Sequence, residues 1–82
     1  MATTREEISE WFDRGVEQGA THMIVACDTF DWGDYPVYIH RGEDPRARAS
    51  NLGSMQKLME VYKLDPALKQ EQLNAHRVYN YD

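Results

Sequence analysis

Residues 21 to 41, Thr-His-Met-Ile-Val-Ala-Cys-Asp-Thr-Phe-Asp-Trp-Gly-Asp-Tyr-Pro-Val-Tyr-Ile-His-Arg, constrain the fold more than any other stretch. Two runs of β-branched and apolar side chains flank a short segment rich in Asp and Gly, the pattern of a β-hairpin. Strands over 21–30 and 35–41 would leave Asp31-Trp32-Gly33-Asp34 as the loop, with Gly33 free to take positive φ. That loop sets Phe30 opposite Tyr35, Asp28 opposite Val37, Cys27 opposite Tyr38, Ala26 opposite Ile39 and Val25 opposite His40. One face then carries Ile24, Ala26, Phe30, Val37 and Ile39, and the other Met23, Val25, Cys27, Tyr38 and His40. Both faces are apolar, so both need a cover. An isolated two-stranded hairpin is marginal in water. The remaining chain must therefore supply helices, a third strand or a second copy of itself.

The segments around the hairpin read as helices. Thr4 and Glu7 form a capping box ahead of a helix over 4–18, with Ile8, Trp11, Phe12, Gly15 and Val16 on one face. Gly15 interrupts that apolar stripe, which predicts a close approach of helix to sheet, and Gly19 suits a left-handed C-terminal cap. Asp44-Pro45 and Asp65-Pro66 repeat a cap-and-proline signal. They predict short helices from Pro45 to Ser50 and from Pro66 to about Ala75. Met55, Leu58, Met59 and Tyr62 recur at three and four, which predicts another helix over 54–64. The tail from His76 to Tyr81 either continues the last helix or adds a third strand, since Val and Tyr favour strands. The expectation is a single α+β domain over 1–82. It has an N-terminal helix, an antiparallel hairpin, two or three short helices and, in one of the two readings of the tail, a third strand.

With 82 residues the core is small, and chains of this size often gain stability by oligomerising. The uncovered apolar face, with Val25, Cys27, Tyr38 and His40 as contacts, predicts a homodimer. Nine basic against fourteen acidic residues give a formal net charge of −5. That argues against direct nucleic-acid binding, which needs a basic face, and suits a basic partner. The N-terminal Met-Ala-Thr-Thr-Arg-Glu-Glu has no apolar signal segment, and no apolar run approaches the ~20 residues of a membrane span. A cytoplasmic location follows as the expectation.

Candidate chemistry is sparse, and the expected protein is not an enzyme and takes no cofactor. Asp28, Asp31 and Asp34 cluster at the bend, but their spacing lacks the alternation of an EF-hand loop, and turn chemistry is the commoner use of such aspartates. No metal is expected. Asp28 belongs at the core margin or beside Arg41 or a helix cation. Cys27 and His40 share a face, within reach of a thiol pair, yet no oxyanion device or orienting third group accompanies them. His22 falls on the other face. Trp32 at the loop either stands exposed among acids, as interface aromatics do, or folds back onto the first helix. The predicted partner surface is Asp31, Trp32 and Asp34, with Glu10, Asp13 and Glu17 on the outer face of the first helix as a second patch.

The strings Ala20-Thr21-His22-Met23-Ile24-Val25, Cys27-Asp28-Thr29-Phe30-Asp31 and Asp34-Tyr35-Pro36-Val37-Tyr38 resemble small proteins of phages and prophages. Met55-Gln56 and Met59-Glu60-Val61-Tyr62 resemble the same group. The resemblance implies an accessory protein similar to acidic anti-CRISPR inhibitors of type I surveillance complexes. It implies binding to a host defence complex (Cascade) that stops target DNA from engaging, with acids standing where phosphates would lie. The alternatives are a small metal- or thiol-dependent enzyme on Asp28, Asp31, Asp34, Cys27 and His40, and a structural or regulatory phage dimer.

Overall fold

The structure is a computed structural model describing residues 3–75 and 77–82. His76, part of the ambiguous tail, lies outside the described residues. The fold is α+β, with α1 (Arg5–Glu17), β1 (His22–Asp28), β2 (Gly33–Ile39), α2 (Pro45–Ser50) and β3 (Gln56–Lys63) in order. A 3-10 turn (Pro66–Leu68) then runs into α3 (Lys69–Asn74). The sheet is antiparallel in the order β2-β1-β3.

The helix starts follow from their caps. Thr4 Oγ1 accepts the Glu7 N–H at 3.2 Å, Asp44 Oδ1 the Arg46 N–H at 3.0 Å, and Asp65 Oδ1 the Ala67 N–H at 3.0 Å. Each satisfies a backbone donor that the first turn leaves orphaned. At the end of α1 the chain turns through Gly19 at φ 79°. Gly15 is buried against the sheet: a Cβ there would stand 2.5 Å from Leu64 Cδ1 and 2.9 Å from Tyr38 Cε1. Any larger residue would push α1 away.

The hairpin closes two residues earlier than the sequence suggested. β1 ends at Asp28, which pairs with Gly33, and Ala26 pairs with Tyr35 rather than Ile39. Asp28 is the cause. Its Oδ1 accepts the Phe30 N–H at 2.9 Å and its carbonyl the Trp32 N–H at 2.7 Å. Asp31 Oδ1 then takes the Gly33 N–H at 2.9 Å. Positive φ falls on Trp32, at 59°, and Gly33 does without it. Asp28 is thus committed to the bend, at the opposite end of the sheet from Arg41, and forms no pair with it. The displacement of four in pairing is even, so each side chain keeps its expected face. Phe30 is the exception, because the early turn carries it out of the sheet altogether.

The segment over 54–64 is a correction: residues 56–63 are a strand, not a helix. β1 is buried from His22 to Cys27, so its second edge needs a neighbour, and β3 supplies it. A bulge where the register shifts between Val25 and Ala26 leaves Met59 without a partner on β1. The extra residue puts Leu58 and Val61 on one face and Met59 and Tyr62 on the other. A strand with one bulge thus acquires the spacing of three that reads as a helix. The tail adds a parallel bridge between Tyr79 and Val61 on the outer edge of β3. Val61 N–H donates to Val78 O at 2.7 Å and Asn80 N–H to Val61 O at 3.0 Å. On the far side of the sheet, β2 is the edge strand and carries Pro36 in its middle.

Both faces of the sheet are covered from within the chain. α1 packs Ile8 and Phe12 onto Met23, Val25 and Tyr62, closed by Leu64 and Val78. On the other face Ile24, Ala26, Ile39 and Val61 are wholly buried beneath Ala49, Leu52 and Tyr81. α2 and the tail are therefore the second cover. α3 is tied to β3 by Gln72, whose side-chain amide accepts from Lys63 N and donates to Lys63 O, both at 2.8 Å. Among the described residues, no helix is long and apolar enough to cross a membrane.

Candidate interaction site at the hairpin tip

The turn from Thr29 to Trp32 projects from one end of the sheet. Phe30 is 80% and Trp32 64% exposed. Of the two expectations for Trp32 the outward one holds. Met55 joins them from the start of β3: its carbonyl accepts the Thr29 N–H at 2.7 Å and the Thr29 hydroxyl at 2.8 Å. Its side chain is half exposed. Three large apolar side chains thus stand in water at one end of a molecule whose other apolar groups are mostly covered. Phe30 and Met55 were missed because the sequence reading put one on the sheet and the other on a helix. The available signal was Asp28, an Asx-turn former ahead of Thr-Phe-Asp, which marks where the strand stops.

The carboxylates divide. Asp31 stays at the tip, exposed, with Oδ1 held by Gly33 N–H. Asp34 lies opposite Cys27 on the α1 face and lines a cavity behind the tip. Glu10, Asp13 and Glu17 are exposed along α1, with Asp13 bonded to Lys69 Nζ at 2.8 Å. This row runs away from the tip, since Gln18, next to Glu17, bonds His40 Nε2 at 3.2 Å beyond the far end of β2. Tip and helix row are separate patches.

Other sequence candidates have structural roles. Val25 and Cys27 are buried beneath α1, and Tyr38 donates its hydroxyl to Trp11 O at 2.8 Å. Val25 and Cys27 thus belong to the interior of the chain, while Tyr38 is half-buried. His40 is exposed near Glu43, its Nδ1 3.7 Å from Oε1. It follows Ile39, the partner of His22, whereas Cys27 pairs with Asp34 at the tip end, so no His40–Cys27 pair forms. Burial pushes the Cys27 thiol up, helped by the neighbouring carboxylates of Asp34, Asp28 and Asp31; its Sγ donates to the Asp28 carbonyl at 3.9 Å. A thiol held protonated is a poor nucleophile. Among the described residues, no three His, Cys, Asp or Glu side chains are gathered to hold a metal ion.

Behind the tip the interior holds a carboxylate. Glu60 is buried on β3 and accepts four hydrogen bonds from three residues. Arg5 Nη1 reaches Oε1 at 3.1 Å and Oε2 at 3.5 Å, Tyr62 donates to Oε1 at 2.9 Å, and Val78 N–H to Oε2 at 3.1 Å. Arg5 also donates to the Tyr62 hydroxyl at 2.6 Å. Burial pushes the Tyr62 phenol well up, reinforced by its bond to Glu60 and that carboxylate's charge and opposed by Arg5. For Arg5, burial works against the charge, but Tyr62 and Glu60 outweigh it and raise the guanidinium further.

Compared with protein-family models, curated sequences and solved structures, the chain matches none. The resemblance to phage proteins accordingly rests on the residue strings quoted above.

Proposed function

We propose that this chain is a non-enzymatic binding protein that inhibits a bacterial defence complex by seating its hairpin tip on a basic surface. The observation that supports it is the exposure of Phe30 and Trp32 on either side of Asp31. Aromatic side chains in water are the usual anchors of interfaces, and a neighbouring carboxylate steers a cationic partner. The tip is also held in shape before binding, by Asp28 and Asp31 on Phe30 and Gly33. A preformed loop loses less entropy when it docks. Pro36 on the edge strand disfavours sheet extension as the binding mode, so side chains at the tip carry the contact. The partner class, a type I CRISPR surveillance complex whose DNA groove the acids would occupy, comes from the resemblance.

The test is target-DNA binding by a type I surveillance complex with and without this protein. Wild type should block it, and Trp32→Ala with Asp31→Lys should lose the block while keeping the fold. Unimpeded DNA binding with wild-type protein in excess removes this target. Blocking that survives the double substitution moves the contact elsewhere, first to Glu10, Asp13 and Glu17.

A further inference from the structure

Four separated segments meet around a cavity of about 190 Å³ on the α1 side of the sheet: the start of α1, the β1–β2 pair, the bulge of β3 and the tail. Its volume is roughly that of six waters and falls below the roughly 300–1,000 Å³ of sites for drug-sized molecules. A small metabolite fits this space. Ile8, Val25 and Met59 give it an aliphatic wall. Its charged lining is Arg5, Glu60, Asp34 and Arg77. Arg5 and Glu60 neutralise each other in the network already described, and the buried Glu60 has its acceptors filled. Among the described residues, Arg77 from the tail and Asp34 from β2 form no ion pair. Arg77 is placed there by a left-handed backbone, φ 64°, a conformation that costs a non-glycine residue free energy.

We infer that this cavity binds a small aliphatic zwitterion of the amino-acid type. Its carboxylate meets the Arg77 guanidinium, its ammonium meets the Asp34 carboxylate, and its side chain lies on Ile8, Val25 and Met59. A guanidinium suits a carboxylate through paired N–H donors, and a carboxylate accepts from an ammonium. Thr3 is the one uncharged polar residue of the lining, and the wall of Ile8, Val25 and Met59 suits an aliphatic body. The site is independent of the tip and of the proposed inhibition.

Calorimetry on the full chain tests this with three probes of nearly one shape: L-leucine, 4-methylpentanoate, which lacks the ammonium, and 3-methylbutan-1-amine, which lacks the carboxylate. Leucine should bind saturably, roughly millimolar or tighter, and each singly charged analogue about tenfold or more weaker. Asp34→Asn should reduce leucine to the affinity of 4-methylpentanoate, and Arg77→Gln to that of the amine. Asp31→Asn, at the tip, should change nothing. No saturable heat with leucine, or equal affinity for all three probes, overturns the proposal without recourse to any variant. Unchanged leucine affinity in both Asp34→Asn and Arg77→Gln also overturns it.

Discussion

The surroundings of Glu60 and the hairpin tip hold the same kinds of group, carboxylates and aromatics, and use them in opposite ways. At Glu60 the carboxylate oxygens are consumed by Arg5, Tyr62 and Val78, and Tyr62 is wholly buried. At the tip, Asp31 turns one oxygen to Gly33 and stands otherwise in water, while Phe30 and Trp32 have no cover. The first region is complete within the chain. The second is complete only as a turn, and its apolar surface is left for something else. Substitutions should separate the two: interior changes cost stability, tip changes cost binding.

The largest effect should come from Glu60→Ala. It leaves the Val78 N–H and the Tyr62 hydroxyl short of an acceptor and takes the counter-charge from Arg5, a loss of about 3 kcal/mol or more in chemical denaturation. A loss under about 1 kcal/mol would mean that water replaces the carboxylate and that the interior is less closed than described. Next is Gly15→Val, which drives a branched side chain into Leu64 and Tyr38. Overpacking and the displaced α1 should cost about 1–3 kcal/mol, read as a lower midpoint at unchanged denaturant slope.

Alkali should find the same region. The Tyr62 phenol sits above its usual 10.0 in the folded chain. The unfolded chain therefore releases that proton first. Stability from this group is intact below about pH 10 and falls as pH rises beyond it, by up to about 1.4 kcal/mol per pH unit. Tyr62→Phe should flatten that part of the profile measured by denaturation from pH 9 to 11.

The smallest effect belongs to the tip and has the opposite sign. Trp32→Gly relieves a bulky residue at φ 59° and should leave stability unchanged or raise it by about 1 kcal/mol, while removing the aromatic anchor. A variant that melts higher yet no longer inhibits would be the sharpest form of the contrast. A clear loss of stability would show that Trp32 packs on the fold after all.

What could be read from the sequence was what is local. The caps at Thr4, Asp44 and Asp65 depend on one side chain and the next few backbone groups. The close approach at Gly15 needed only a glycine on an apolar stripe. The two faces of β1 and β2 survived a wrong register because facing depends on parity alone. β3 was hidden by one extra residue at Met59, which replaced alternation by a spacing of three. At the tip, Asp31 and Trp32 were legible as loop residues, while Phe30 was lost because Asp28 ends the strand two residues early. The cavity was not legible at all, since Arg5, Asp34, Glu60 and Arg77 come from four segments that only the folded sheet brings together.

Pro36 and the tail have a consequence for how the molecule behaves in a crowd. A three-stranded sheet offers two edges, and each is an invitation to polymerise strand by strand. Here β2 presents a residue with no N–H to give, and the Val78–Asn80 segment already occupies β3 at Val61. A chain that keeps an uncovered aromatic tip cannot also tolerate sticky edges if it is to stay dispersed at high concentration. With the edges blunted, Phe30, Trp32 and Met55 form the main apolar patch left in water, and the exposed Asp31 carboxylate among them suits a partner of opposite charge.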